Sequence, residues 1–223
     1  MNLVILNQPI AEPVDLITAK NFLRVTTSQD DLLIPILISA AREAVEAYTG
    51  RSVATKTYEQ SLDCFPSYVD GSTSQLAYPP AYYSLPLYST AMWNYSQMIK
   101  LFAPPAIDVL SIVYIDANGN VQTLDPGTYT VDTASEPARI FPNPGLTWPP
   151  TAYVPNAVKM TFVAGYNTNP SSNGDIPNAL YVAILMMTAH MYENRGEVGA
   201  EMPEFIKSLL YSQKVMDESP TRG

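Results

Sequence analysis

The sequence predicts an α+β fold in which terminal helices pack together as a small helical module carrying an inserted antiparallel β-rich region, sandwich- or barrel-like. Three observations predict it. Helix-period apolar patterns occupy both ends of the chain, short alternating strands punctuated by proline fill the middle, and the 20 prolines and 15 tyrosines are spread unevenly between them. The expected division is a discontinuous helical module, residues 1–52 plus 176–223, and a β-rich insertion, residues 53–175, with a Tyr/Pro/Ser-rich loop at 66–97. A chain of 223 residues is long enough to bury a core in one large domain or two small ones.

The first helix is expected after Pro13. Asp15 is placed to cap the free amides of its first turn, and Leu16, Ala19 and Leu23 share a face. Thr26, Thr27 and Ser28 break the pattern. Ser28 is then expected to cap a second helix, with Asp31 at its third position and Asp30 near the positive end of the dipole. Leu33, Ile36, Leu37, Ala40, Ala44 and Tyr48 recur at helical spacing, while Arg42, Glu43 and Glu46 fall mostly opposite, and Gly50 supplies the left-handed stop. Pro35 sits inside this pattern, beyond the first turn, where it removes a hydrogen bond and is expected to kink the helix.

Alternation replaces helical spacing from Val53. Strands are expected at Thr57–Phe65, Met98–Phe102, Val109–Ile115, Val121–Leu124, Thr128–Asp132, Ala138–Phe141 and Ala157–Ala164. Asn118-Gly119 suits a tight hairpin turn between the third and fourth of these. After the polar loop Asn167–Gly174, helix resumes around Pro177, which is tolerated in a first turn. Leu180, Ile184, Met187 and Met191 form a stripe, yet Val182, Ala183, Leu185 and Met186 leave little polar face. This closing helix is therefore expected to be covered nearly all round before Gly196 ends it. A shorter helix follows from Pro203, with Phe205, Ile206, Leu209 and Leu210 apolar, and the last residues, Asp217–Gly223, are expected to fray.

Composition narrows the function classes. Net charge is −9, and Lys20, Arg24, Arg42, Lys56, Lys100, Lys159 and Arg195 are scattered singly, so specific nucleic-acid binding is not expected. No apolar run approaches the ~20 residues of a membrane span, and the opening MNLVILNQPIAEP lacks the basic flank and cleavage site of a signal peptide. The single cysteine, Cys64, suits a reducing compartment; its alternating context reads as a buried small hydrophobe. His190 is the one histidine and has only Glu193 near it in sequence, too few ligands for a metal. The stretch from Asp116 to Asn120 fails as a calcium loop, because Val121 and Gly127 stand where a glycine and a glutamate are needed. No P-loop, dinucleotide fingerprint or serine elbow is present. No enzymatic activity, cofactor or metal is expected.

One segment hints at binding. Tyr78, Tyr82, Tyr83, Tyr88, Trp93 and Tyr95 lie among prolines and serines, and tyrosine offers amphipathic contact area at low entropic cost. It reads equally as a loop folded over its own domain and as a subunit contact. A sugar-binding surface is the weaker third reading, with Asp70, Gln75 and Asn94 as its polar groups.

In order along the chain, these pieces resemble the head–tail connector (adaptor, head-completion) proteins of tailed bacteriophages. The opening module is similar through Leu16, Ala19, Lys20, Leu23, Arg24, Asp31, Leu32, Ile34, Ile38, Ala41, Arg42, Glu46 and Gly50. The β region is similar through Ile112–Tyr114, Asn118-Gly119, Tyr129–Val131, Trp148-Pro149 and Phe162–Tyr166, and the closing helix through Tyr192, Glu193, Asn194 and Arg195. Pro35 and the long Tyr-rich insert depart from that pattern.

The resemblance implies a non-enzymatic structural protein of the virion neck, assembled in the host bacterial cytoplasm. It implies a homo-oligomeric ring of twelve copies beneath the portal protein, extending the DNA channel and docking the next neck or tail-completion protein. Genomic DNA would pass through without specific binding, and no membrane is involved. Candidate partner contacts are Tyr82, Tyr83, Tyr88 and Trp93 towards a neighbour, and Phe205, Leu209, Tyr211 and Arg222 towards the portal. The alternative reading is a carbohydrate- or receptor-binding tail protein using the Tyr-rich loop.

Overall fold

A computed structural model describes residues 2–66, 97–167, 175–194 and 201–215. It divides into two compact units. One comprises Met1–Leu6, Thr57–Phe102 and Ala106–Val163; the other comprises Asn7–Lys56, Ala103–Pro105 and Ala164–Gly223. The α+β class is as the sequence predicts, with helices from the chain's ends and strands between them. The unit boundaries fall near 56/57 and 163/164, and residues 1–6 go with the strands.

The helical unit is built from α1 (Leu16–Leu23), α2 (Leu33–Thr49), α3 (Asn178–Glu193) and α4 (Glu204–Leu210). Asp15 caps α1 as expected, its carboxylate accepting the Thr18 amide at 2.7 Å. The start of α2 is a correction. Ser28 does not cap it; the helix begins at Leu33 after a turn held by the Asp30 carbonyl, with no side-chain cap. Pro35 therefore stands within the first turn, where its missing N–H was free anyway, and the expected reason for a kink disappears. The buried face of α2 is also shifted: Ile34, Ile38, Ala41, Arg42, Val45 and Thr49 point inward, while Ile36 is exposed. Gly50, at φ 71°, ends the helix with its amide on the Glu46 carbonyl at 2.9 Å.

Helix α3 supplies most of the facing surface. Leu180, Ala183, Ile184, Leu185 and Met187 join Ile34, Ile38, Ala41, Val45, Ile206 and Leu210 in one core. Each large aliphatic side chain buried there contributes about 1.5–3 kcal/mol. The cover that the apolar closing helix demanded thus comes largely from α1, α2 and α4, although Val182 remains partly exposed. Tyr192, near its end, donates its hydroxyl to Asp30 at 2.6 Å, tying α3 to the turn before α2. The helix stops at Glu193, and the expected stop at Gly196 lies outside the described residues.

The β unit holds a five-stranded sheet in the order β1-β2-β8-β4-β5 and a three-stranded sheet in the order β3-β7-β6. The strands are β1 (Asn2–Asn7), β2 (Lys56–Leu62), β3 (Ile99–Lys100), β4 (Ala106–Ile115), β5 (Val121–Thr123), β6 (Tyr129–Asp132), β7 (Arg139–Pro142) and β8 (Val158–Ala164). All but β1 match expected strands to within a few residues. β4 and β5 form the hairpin expected at Asn118-Gly119, with Ile115 opposite Val121 and Gly119 at φ 85°. The Asp116 carboxylate accepts the Asn118 and Asn120 amides at 2.9 Å each. These bonds, with that from Gln122, hold its pKa below the ordinary value. The run from Asp116 to Asn120 is thus a turn with its own internal acceptor.

Alternating residues of β2 and β8 bury Tyr58, Met160 and Phe162, and the Tyr58 and Phe162 rings stack at 5.6 Å. A second aromatic group joins Phe65, Tyr114 and Trp148, with the Phe65 and Trp148 rings stacked 4.9 Å apart. Gln60 is fully buried because it completes the backbone: its amide reaches the Lys100 carbonyl at 2.8 Å and its oxygen accepts the Phe102 amide at 3.0 Å. Cys64, expected inside, is instead exposed in the bend after β2. The strand ends at Leu62, so the alternation that would have turned this side chain inward no longer applies.

Candidate assembly surfaces

The firmest feature of the helical unit is a buried charge cluster at the back of α2. Arg42 is 1% exposed and reaches Glu12 at 2.8 Å, Glu46 at 2.8 Å and the Ser39 hydroxyl at 3.2 Å. Glu46 also accepts the Lys56 ammonium and the amides of Val53 and Ala54, at 2.8 and 3.3 Å for the amides. Burial by itself would lower the Arg42 pKa; Glu12, Glu46 and Glu43 outweigh it, and the guanidinium is held above its ordinary value. The cluster fastens the end of α2 to the strand entry at Val53 and Ala54. Its charges pair with one another and with backbone amides, which makes it a clamp.

The C-terminal segment is fastened to the same end of α2. Arg51 donates to the Gln213 carbonyl at 2.5 Å and to the Tyr166 hydroxyl at 3.2 Å, and the Val215 amide reaches the Thr49 carbonyl at 2.8 Å. The Lys214 ammonium lies 5.1 Å from the Tyr48 ring centre. Gly165 completes the junction. At φ 123°, a Cβ there would stand 2.3 Å from the Ala54 carbonyl oxygen, a separation no side chain tolerates.

On this clamped scaffold the helical unit presents apolar side chains to solvent. Leu32 is 88% exposed and Ile36 65%, one turn apart at the start of α2; Ile17 and Phe22 of α1 are exposed as well. Of the expected contact residues, Phe205 and Tyr211 are exposed at 56% and 66%, while Leu209 is partly buried against the helical core. Tyr82, Tyr83, Tyr88, Trp93 and Arg222 lie outside the described residues. Ile36, placed by the sequence in the apolar stripe of the helix, faces solvent instead, because an apolar residue in a helical pattern reads first as core; Leu32 stands among the residues that carry the connector resemblance.

The β unit adds a shallow cleft of about 210 Å³ lined by Tyr114, Leu124, Thr128, Pro142, Trp148 and their neighbours. His190 lies 3.0 Å from the Asn194 amide through its Nδ1 atom, and no group of three or more metal-capable side chains occurs among the described residues. None of their helices is long and apolar enough to cross a membrane.

Comparison with known proteins agrees with the resemblance read from the residues. Residues 13–79 match the family described as Phage gp6-like head-tail connector protein. No curated protein sequence matches the chain. Among solved structures, the chain is similar to one in the neck of an empty gene transfer agent (GTA) particle computed with C6 symmetry, at 18% identity and a TM-score of 0.69. It is similar to one in the virion of a native GTA particle at 17% and 0.70, and to one in the neck of a native GTA particle computed with C12 symmetry at 16% and 0.65. Each of these similarities covers 100% of both chains. The chain thus carries the head–tail connector match of the Phage gp6-like family over residues 13–79 and, over its full length, the fold of these GTA particle chains.

Proposed function

We propose that this protein is a structural head–tail connector of a tailed-phage type particle, assembling as a ring of twelve copies beneath the portal. The observation that carries the reading is the connector-family match across α1 and α2, in a chain whose whole fold is that of GTA neck proteins. Clamped helices with uncovered Leu32, Ile36, Phe205 and Tyr211 suit a part that acts by binding. In this reading Phe205, Tyr211 and the tail through Arg222 meet the portal, and the Tyr82–Trp93 stretch meets the next neck protein. The ring lengthens the DNA channel without gripping DNA. Twelve copies at −9 apiece carry roughly −108, a field that discourages adhesion wherever the acids face the lumen.

The test is reconstitution with the particle's own portal. The wild-type chain is expected to form a stable complex with portal rings in mass photometry, and Phe205→Asp with Tyr211→Asp to weaken it by at least about tenfold. Equal binding by the double variant would remove the portal assignment of α4. A wild-type chain that ignores the portal and binds immobilised glycans would favour the tail-protein alternative.

A further inference from the structure

Among the described residues, the five-stranded sheet ends on each side in a six-residue stretch with no strand beyond it. On one side lies β1, six residues long, with Leu3, Val4, Ile5 and Leu6 all 38–49% exposed. On the other, β5 pairs only with Val113–Ile115 of β4, and the Leu124 amide takes the Ile112 carbonyl. Among the described residues no strand lies beside the first six residues of β4, 106–111, on that side, and Ile107 and Leu110 are half exposed there. Soluble proteins guard such edges with lysine, proline or a short strand. β1, with the sequence NLVILN, has none of these.

We infer that β1 of one copy adds to the open stretch of β4 of the next copy, continuing the five-stranded sheet from subunit to subunit. This rests on the ring reading above and names the contact that would close it. Three features select a second copy as the occupant. The two edges belong to opposite ends of one sheet, so pairing them is head-to-tail, the relation that generates rings rather than closed dimers. Their lengths match, at roughly 20 Å each for six extended residues. Charge points the same way: in a chain of net charge −9, β1 carries no charge and residues 106–111 carry only Asp108, so acidic copies meet where they repel least. One such edge covers less than the roughly 800 Å² per partner of a standard interface, whereas in a ring every copy uses both of its edges.

The test uses full-length chains in a Cys64→Ser background, co-expressed in pairs with the particle's other components. One member carries Val4→Cys or Ile5→Cys, the other Ile107→Cys or Leu110→Cys. These choices cover both faces of each strand, whatever the register. After mild oxidation of purified particles, a β1–β4 mixed disulfide is expected to exceed either self-pair by at least about tenfold in one combination. Ile5→Lys and Leu110→Lys are expected to cut incorporation into particles while leaving the thermal unfolding of the isolated chain unchanged, since both side chains are exposed. If the chain is incorporated without any mixed disulfide, or with β1–β1 disulfides only, the edge pairing is overturned and the connector reading stands. Absence of the wild-type chain from purified necks would overturn both.

Discussion

Replacing Glu46 with alanine removes the carboxylate that Arg42 and Lys56 share at the end of α2. Arg42 is 1% and Lys56 4% exposed, so neither cation can turn to water when its partner goes. Two further bonds disappear, those from the Val53 and Ala54 amides. Breaking a buried ion pair from one side costs about 3–5 kcal/mol, because an uncompensated charge remains inside. Arg42 keeps Glu12, but that carboxylate is partly exposed and its contribution is screened. The expected loss, about 3–5 kcal/mol, is a large part of the 5–15 kcal/mol typical of a folded domain. For a chain of this size it corresponds to a drop in Tm of roughly 6–20 °C, followed by far-UV circular dichroism. Glu46→Gln, which keeps an oxygen for the Val53 amide, should lose about half as much. Glu43→Ala is the control: Glu43 is 62% exposed and 3.5 Å from Arg42, and its removal should cost under about 0.5 kcal/mol. A Glu46→Ala variant melting within about 2 °C of wild type would refute the clamp.

Other outcomes follow from single contacts. Gly165→Ala forces a Cβ against the Ala54 carbonyl at a positive φ and should cost well over about 1 kcal/mol, with reduced soluble yield. Gly119→Ala, also at positive φ but with open space around it, should lower stability by only about 1–2 kcal/mol in the same denaturation assay. Tyr192→Phe removes the hydroxyl bond to Asp30 and should cost about 1 kcal/mol, read as a shift in the urea midpoint without a change of slope. Asp132 is held at about 2 by hydrogen bonds from Arg139 and then Ser135, below its ordinary 3.8. Because the folded value is the lower one, the stabilisation is present above the ordinary carboxylate range and is lost as pH falls through about 2. NMR titration of Arg139→Ala should find the Asp132 midpoint moved up towards 3.8, and an unmoved midpoint would contradict the Arg139 assignment.

Local signals that fix backbone conformation were readable in the sequence. Asp15, Gly50, Asn118-Gly119 and the seven alternating segments each found their element, because capping, positive φ and strand alternation act within a few residues. The start of α2 was not readable in the same way: Ser28 and Asp31 looked like a cap, but Asp30 and Asp31 are engaged by Tyr192 and Lys20, partners distant in sequence or in another element. The inward turn of Arg42 was missed for the same reason. Its spacing matches the buried face, yet a charge reads as solvated until Glu12 and Glu46 are seen beside it. β1 was passed over because four consecutive apolar residues without alternation give no period to read. An edge strand uncovered on both faces has none to offer. The candidate surface was only partly legible: Phe205 and Tyr211 are exposed as candidate contacts require, whereas Ile36 has the spacing of a core residue and nothing in the local pattern marks Leu32 as exposed.

A cryo-EM reconstruction of the neck of the mature particle would show whether this chain takes a place in the assembly. The expected result is a symmetric ring of this chain immediately beneath the portal, with α4 and the tail towards the portal. Density for the chain at a fibre tip, or a neck in which it is missing, would overturn the connector role and bring the carbohydrate-binding alternative forward.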